Sequence, residues 1–223
     1  METVQANRAV RVFDRSEPAD STATEPFRRH IEPLIERLES ADWGGSTFEP
    51  LLMIRRRARI WRQPSRQREL SFLLDSLLPV LGPGRRCLCV GLDLLPLAYA
   101  LAARSVWVDL CDQDPRQVRL FRQLRLDAIW GHWVDYSTEQ LNRLTYPRSI
   151  FDAAAWLSAP AGGVADDRSG ARDELLRVLK PGGMLAVAPD ERPRPPVDRA
   201  SRPGPLSAIL RLGLWKTDLR ASR

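Results

Sequence analysis

Several features that would assign a function directly are missing from this sequence of 223 residues. It has no apolar run of about 18 residues or more, the length at which a segment becomes a candidate membrane span. Its N-terminus also lacks the basic stretch followed by an apolar stretch that marks a secretory signal. We therefore expect neither a membrane span nor a signal peptide, and we expect a cytoplasmic location.

The motifs of several enzyme classes are absent as well. The sequence has no Gly-x-Ser-x-Gly elbow, no His-Glu-x-x-His zinc motif and no Gly-x-x-x-x-Gly-Lys phosphate loop. Its two histidines, His30 and His132, have no evident partner for acid–base catalysis. Three cysteines fall in predicted core strands without the paired spacing of a zinc or disulfide framework: Cys87, Cys89 and Cys111. The sequence therefore predicts no metal site, and it leaves the catalytic residues unknown.

Lysine is nearly absent, which bears on a nucleic-acid function. Of the 34 basic residues all but Lys180 and Lys216 are arginine, and the formal net charge is +6. One basic cluster, at residues 55–62, surrounds Trp61 and could contact phosphates and stack on a base. At helical spacing, however, the same segment separates a charged face from an apolar one, as in an ordinary surface helix. We therefore do not expect a nucleic-acid partner.

What the sequence does contain is a strand, turn, helix and strand pattern between residues 85 and 114. Residues 87–90 form a short apolar run bounded by glycines, which is typical of a strand buried on both faces. A helix is predicted after Pro96, and a second strand follows and ends at Asp112. Two strands joined in this way are parallel, and parallel sheets bind ligands outside the carboxyl ends of their strands. Asp112 is therefore expected to face a pocket.

The spacing of this unit indicates a nucleoside. Asp112 follows Gly91 by 21 positions, close to the roughly 20 that separate the glycine turn from the ribose-binding acid in nucleotide-binding units. One carboxylate at this place can accept both ribose hydroxyl protons. The alternative is that Asp112 only caps the next helix, a role that Asp114 before Pro115 would serve as well.

The segment from about residue 70 to 190 resembles the class I S-adenosylmethionine-dependent methyltransferases. Its most specific part is residues 174–183, Glu-Leu-Leu-Arg-Val-Leu-Lys-Pro-Gly-Gly, which is similar to the helix and turn that lead into the family's fifth strand. Residues 151–155 look like the fourth strand, and residues 133–135 look like the acidic end of the third. The resemblance implies an α/β fold, a Rossmann-like three-layer αβα sandwich with a mostly parallel sheet and N-terminal helices.

The resemblance also implies S-adenosylmethionine as cofactor and methyl transfer to a small-molecule acceptor. Asp135 would accept the adenine amino group with Tyr136 beside the ring, unless Asp135 caps a helix at 137–144 and Tyr136 belongs to the core. The residues expected to bind the cofactor are Gly91, Asp93, Asp112, Gln113, Asp135, Tyr136 and Ser158.

The family's first loop is altered here, which opens an alternative function. Its glycines let the backbone approach the cofactor closely, but only Gly91 remains, and Asp93 and Leu95 occupy the next two glycine positions. Asp93 could repel the cofactor's carboxylate or attract its amino group. The alternative is a non-catalytic methyltransferase-like subunit that scaffolds or regulates a partner.

The remaining segments suggest how the chain is organised. Residues 63–223 would form the Rossmann domain, with a proline-rich loop at 191–205. Residues 25–62 are predicted to be amphipathic helices, broken by Pro33. The resemblance implies that they form a lid or dimerisation segment; the alternative is that they simply cover one face of the sheet. Residues 1–24 show no apolar period and are expected to be a disordered tail.

The end of the chain departs from the family. A final strand is predicted at 214–219, but the further antiparallel strand that the family places after it is missing. Unpaired strand edges are usually covered. The open edge therefore predicts a homodimer or a heteromeric partner.

Overall fold

The computed structural model describes residues 9–12, 24–40, 48–123, 133–158 and 166–189. The strands in these ranges are β1 Ala9–Val12, β2 Arg86–Val90, β3 Trp107–Asp112, β4 Val134–Thr138, β5 Phe151–Ser158 and β6 Leu179–Pro189. The helices are α1 Glu25–His30, α2 Glu32–Ser40, α3 Phe48–Trp61, α4 Pro64–Leu77, α5 Leu95–Ala102, α6 Pro115–Gln123 and α7 Asp166–Val178. None of these helices is long and apolar enough to cross a bilayer.

The strands form one parallel sheet in the order β1-β6-β5-β2-β3-β4. Its central strands are buried on both faces, because successive side chains pack into two hydrophobic cores, one on each face of the sheet. Cys87 and Cys89 of β2 belong to the core on the side of α1 to α6, whereas Leu88 and Val90 belong to the core on the side of α7. The predicted three-layer αβα sandwich is confirmed, and all six described strands are parallel.

The strand order places a binding crevice at one edge of the sheet. From β2 the chain proceeds through β3 to β4 on one side, and β5 leads to β6 on the other. The order therefore reverses between β2 and β5, and ligands of open α/β sheets bind outside the carboxyl ends of the strands at such a point. Gly91 follows β2, Asp112 ends β3 and Ser158 ends β5.

Strand β1 corrects the expectation that residues 1–24 lack regular structure. It pairs in parallel with β6, with Ala9 beside Met184 and Val12 beside Val187. The outer edge of β6 offers backbone hydrogen bonds that this short segment can complete, and four residues are too few to show a period in the sequence. The place beside β6 is thus taken by β1, while the strand predicted at 214–219 lies outside the described residues.

Strand β4 corrects a second prediction. Residues 133–135 were expected to end a strand and residues 137–144 to form a helix, but β4 runs from Val134 to Thr138 and turns follow it. As the last strand on its side of the sheet, β4 hides mainly one face. Its buried Val134 and exposed Asp135 therefore alternate, which is a weaker sequence signal than the continuous apolar runs of the central strands.

The N-terminal helices pack over the outside of α4 and α5. The predicted break near Pro33 is confirmed, because α1 ends at His30 and α2 starts at Glu32, with Pro33 in its first turn. Helix α4 begins with Pro64 after Gln63, since proline suits a first helical turn. All eight residues of α5 are buried, because the sheet covers one side of this helix and α2 and α4 cover the other.

Candidate functional site

The turn after β2 carries the one remaining glycine of the altered loop. Gly91 has φ +104°, a conformation that residues with a Cβ rarely adopt. Its backbone N–H donates to the carbonyl oxygen of Cys111 at 2.8 Å, which fixes the turn to β3. A Cβ added at Gly91 would meet no atom within 4 Å. The glycine is therefore required by the backbone conformation, and the space beside its Cα is open.

Asp112 joins this turn to the segment that follows β3. Its Oδ2 accepts the backbone N–H of Leu92 at 3.0 Å, and its Oδ1 accepts the backbone N–H of Asp114 at 3.0 Å. The side chain is only partly buried. Each carboxylate oxygen has two lone pairs, so both can still accept a hydroxyl donor. Gln113 is exposed beside it.

The capping role left open for Asp112 is filled mainly by Asp114. The Asp114 carboxylate accepts the backbone N–H of Arg116 at 2.9 Å and the side-chain amide of Gln117 at 3.0 Å. These two donors, the Gln117 side chain first, hold the pKa of Asp114 below its usual value. Asp114 thus caps the N-terminus of α6. Asp112 instead bridges two loops at the carboxyl edge of the sheet.

Asp93 is in a different environment from the one expected of a cofactor ligand. It is 6% exposed, and its Oδ1 accepts a hydrogen bond from the Arg57 guanidinium of α3. Arg57 also donates to Gln117 Oε1 in the first turn of α6, and its guanidinium lies 5.7 Å from the Phe121 ring centroid. The Trp61 indole N–H donates to the Asp93 carbonyl oxygen at 2.9 Å. Asp93 therefore anchors α3 to the turn.

Asp135 and Tyr136 are not part of the carboxyl edge. In the register of β3 and β4, Asp112 lies beside Thr138, while Asp135 lies beside Asp109 in the middle of β3. The Asp135 side chain lines a cavity at the opposite edge. The Tyr136 hydroxyl is hydrogen-bonded to that of Tyr99, and its ring is stacked on Phe121 at 6.4 Å. The structure therefore does not bring these two residues together with Gly91 and Asp112.

The residues at the carboxyl end of β4 were missed by the sequence analysis. The backbone N–H of Glu139 donates to the Asp112 carbonyl oxygen at 3.0 Å, which puts Thr138 and Glu139 next to Asp112. The Glu139 carboxylate accepts the backbone N–H and the hydroxyl of Thr145 at 2.9 and 2.7 Å. Together with Gln140 they line a cavity of about 410 Å³. The residue at which β4 starts sets its register with β3, so a correctly predicted start would have placed Thr138 and Glu139 beside Asp112.

Ser158 lies at the carboxyl edge of the sheet. It is the last residue of β5, and its backbone pairs with Pro189 of β6 at the carboxyl edge. Strand β5 is directly adjacent to β2. The structure therefore places Gly91, Asp112, Gln113 and Ser158 at one edge of the sheet.

The opposite, amino edge carries a network of ion pairs. The Asp152 carboxylate accepts hydrogen bonds from Lys180 Nζ at 3.0 Å, Arg85 Nη1 at 2.8 Å and the Arg86 backbone N–H at 2.9 Å. Burial raises the pKa of Asp152, but these donors outweigh burial and the pKa lies below its usual value. The Arg86 side chain pairs with Asp109 at 2.8 Å. These contacts link β2 to β3, β5 and β6 on the amino side of the sheet.

No protein-family model matches this sequence, and no curated protein matches it. Solved structures are similar over part of the chain. The cyclase SpnF is 27% identical over 57% of this chain and 48% of its own, with a TM-score of 0.43. The N-methyltransferase NodS from Bradyrhizobium japonicum, solved with S-adenosyl-L-homocysteine, is 19% identical over 70% of this chain and 71% of its own, with a TM-score of 0.45.

A third similar structure is a SAM-dependent methyltransferase from Methanosarcina mazei, 20% identical over 49% of this chain and 55% of its own, with a TM-score of 0.40. The chain thus spans about half the length of SpnF and of the Methanosarcina protein. Since all three TM-scores lie below 0.5, the assignment of a function depends on this chain's own residues. The solved structures that are similar over part of the chain include several described as S-adenosylmethionine-dependent methyltransferases.

Proposed function

We propose that this chain binds S-adenosylmethionine at the carboxyl edge of β2 and β3 and transfers its methyl group to a small-molecule acceptor. The observation that carries the proposal is the position of Asp112. This carboxylate ends the strand beside β2, holds the turn at Gly91 through the Leu92 N–H at 3.0 Å, and is partly exposed. A carboxylate beside a glycine turn at the point where the strand order reverses is the arrangement that binds a ribose diol.

The residues at this edge fit the nucleoside half of the cofactor. Both Asp112 oxygens have lone pairs left for the ribose hydroxyls, and the open space beside Gly91 lets a ligand approach the backbone. By the strand register, the base would lie near Thr138, with Gln140 lining the same cavity, and these two residues would take the role expected of Asp135. Gln113 is exposed next to Asp112 and can contribute its amide.

The residues of the altered loop do not fit the methionine half in the way the sequence suggested. Asp93 is 6% exposed and paired with Arg57, so it neither repels nor attracts the cofactor's end groups directly. Leu95, at the other altered position, is fully buried. The amino-acid part of the ligand would therefore extend past Gly91 and not along these side chains.

The bound cofactor supplies an electrophilic methyl group, and the protein's contribution is to hold donor and acceptor in line. Positioning alone can lower the barrier of such a transfer by several kcal/mol, of order 7–11 in the best-oriented cases. The end of β5, where Ser158 lies next to the β2 edge, would border the acceptor. The acceptor that we expect is a nucleophile that reacts without a general base from the protein.

Isothermal titration of the full chain with S-adenosylmethionine and S-adenosylhomocysteine tests the proposal. We expect saturable binding of both, and no binding of methionine alone, because the contacts are to the nucleoside. The absence of binding by either nucleoside ligand would contradict it. That result would favour the non-catalytic scaffold, which the burial of Asp93 and Leu95 at the family's glycine positions also supports.

A further inference from the structure

The turn after β2 and the start of α6 are joined twice, by two residues from different parts of the chain. Asp112 joins them through the backbone, because it accepts the N–H groups of Leu92 and Asp114. Arg57 of α3 joins them through side chains, since its guanidinium donates to both Asp93 and Gln117. The carboxylate that we assign to the ribose therefore lies within loops that Arg57 also holds.

Helix α3 is well placed to fix these loops. Trp61 is fully buried and donates its indole N–H to the Asp93 carbonyl oxygen at 2.9 Å. Arg62, which follows α3, pairs with Glu39 of α2 at 2.6 Å. The Arg57 guanidinium also lies 5.7 Å from the centre of the Phe121 ring, on the buried side of α6. These contacts of α3 therefore connect the turn after β2 with helix α2 of the N-terminal segment.

We propose that Arg57 is a positioning residue that couples the docking of α3 to nucleoside binding at Asp112. This inference depends on the function proposed above. The Asp112 oxygens can face the two ribose hydroxyls only while the Leu92 and Asp114 N–H groups stay within hydrogen-bonding distance and hold the carboxylate in this orientation. Arg57 keeps these groups in place through Asp93, next to Leu92, and through Gln117, which also donates to Asp114 at 3.0 Å. A bidentate guanidinium can bridge two acceptors in this way, whereas an ammonium group cannot reproduce the geometry.

The test compares two variants with a matched control. Gln117→Leu removes one acceptor of Arg57 and leaves no buried charge unpaired. Arg57→Lys keeps the positive charge but loses the planar guanidinium that donates to two acceptors. Arg59→Gln changes an exposed arginine of the same helix. Titration with S-adenosylhomocysteine should give a Kd roughly tenfold higher for the first two variants, the size of an ordinary coupling between sites. The control should remain within about twofold of wild type.

A double-substitution cycle separates positioning from a general loss of stability. If Arg57 acts through Asp112, Arg57→Lys should weaken binding much less in an Asp112→Asn background than in the wild type. A purely structural role would weaken binding by the same factor in both backgrounds.

Three outcomes would overturn the proposal. Equal factors in the two backgrounds, or wild-type affinity in Gln117→Leu and Arg57→Lys, would leave the nucleoside site standing but remove the positioning role. A wild-type protein that binds no S-adenosylhomocysteine would overturn the site and the positioning role together. Circular dichroism of each variant at the titration temperature identifies the folded samples, and only these enter the cycle.

Discussion

Replacement of Asp112 by alanine tests how this protein would recognise a ribose. In the proposed complex both ribose hydroxyls donate to the carboxylate, whose oxygens also accept the backbone N–H groups of Leu92 and Asp114 at 3.0 Å. Hydrogen bonds to a charged acceptor contribute about 1.5–3 kcal/mol each, and partial exposure favours the low end of this range. Two such bonds amount to about 3 kcal/mol, or roughly a 100-fold increase in Kd.

The assay should separate this loss from the disturbance of the turn. Competition against labelled S-adenosylhomocysteine gives the affinities of adenosine and of 2′,3′-dideoxyadenosine for the wild type and for Asp112→Ala. The affinity for adenosine should fall roughly 100-fold in Asp112→Ala. The affinity for dideoxyadenosine should fall far less. This ligand has no 2′- or 3′-hydroxyl to donate, so its affinity reports only the effect of the altered turn.

The matched control is Asp114→Asn, two residues further along the same loop. Asparagine is also a good N-cap residue, so α6 should keep its cap, and the adenosine affinity should stay within about twofold of wild type. The reasoning is refuted if adenosine and dideoxyadenosine lose the same factor in Asp112→Ala. It is also refuted if Asp114→Asn discriminates between the two ligands as strongly as Asp112→Ala does.

Three further predictions concern stability and reactivity. Gly91→Ala should lower the free energy of unfolding by about 1–3 kcal/mol in urea denaturation, because φ is +104° while a Cβ meets no atom within 4 Å; an unchanged midpoint would contradict this. Asp152 has a lowered pKa in the folded state, so the stability that it contributes is present above pH 3.8 and is lost as the pH falls through the lower folded pKa. Acid titration of stability should therefore show Asp152→Asn less stable than wild type at neutral pH and a difference that shrinks below pH 3.8; a constant difference would rule out the ionic contribution. All three cysteines are buried, and the pKa of Cys89 is raised by its hydrogen bond with Cys87 and by burial, while burial raises that of Cys111. A thiol reagent should label them only at the rate of unfolding, and rapid labelling of the native protein would disprove their burial.

The central strands could be predicted from the sequence because burial on both faces leaves a plain signal. The apolar runs of β2 and β3 are bounded by glycine and aspartate, and residues 151–155, expected to be a strand, lie in β5, Phe151–Ser158. The carboxyl ends of these strands then gave the positions of Gly91, Asp112 and Ser158. The part of the site that depends on buried parallel strands was therefore accessible to sequence patterns.

The edge strands were less predictable. Strand β4 shows a short alternation of buried Val134, exposed Asp135 and half-buried Tyr136, which is a weaker signal than the apolar residues before it. Because β4 starts at Val134, its register sets Thr138, and not Asp135, beside Asp112. Strand β1, with four residues, is defined by its pairing with β6 and has no pattern of its own.

The contact between α3 and the altered loop could not be predicted at all. Arg57 and Asp93 are 36 residues apart, and a single arginine in a basic cluster gives no sign that it is partly buried and paired. Only the packing of α3 against the turn selects Arg57 among its neighbours. Side-chain pairs across separate elements depend on tertiary structure, so composition and periodicity do not reveal them.

The central claim is that a nucleoside binds at the carboxyl edge of β2 and β3, and amide chemical shifts test it most directly. On titration of isotope-labelled protein with S-adenosylhomocysteine, the backbone amides of Gly91, Leu92 and Gln113 should shift with one common saturation curve. The amides of Arg86 and Trp107, at the amino edge of the same strands, should stay unchanged. Shifts confined to the amino edge, or none at saturating ligand, would contradict the account.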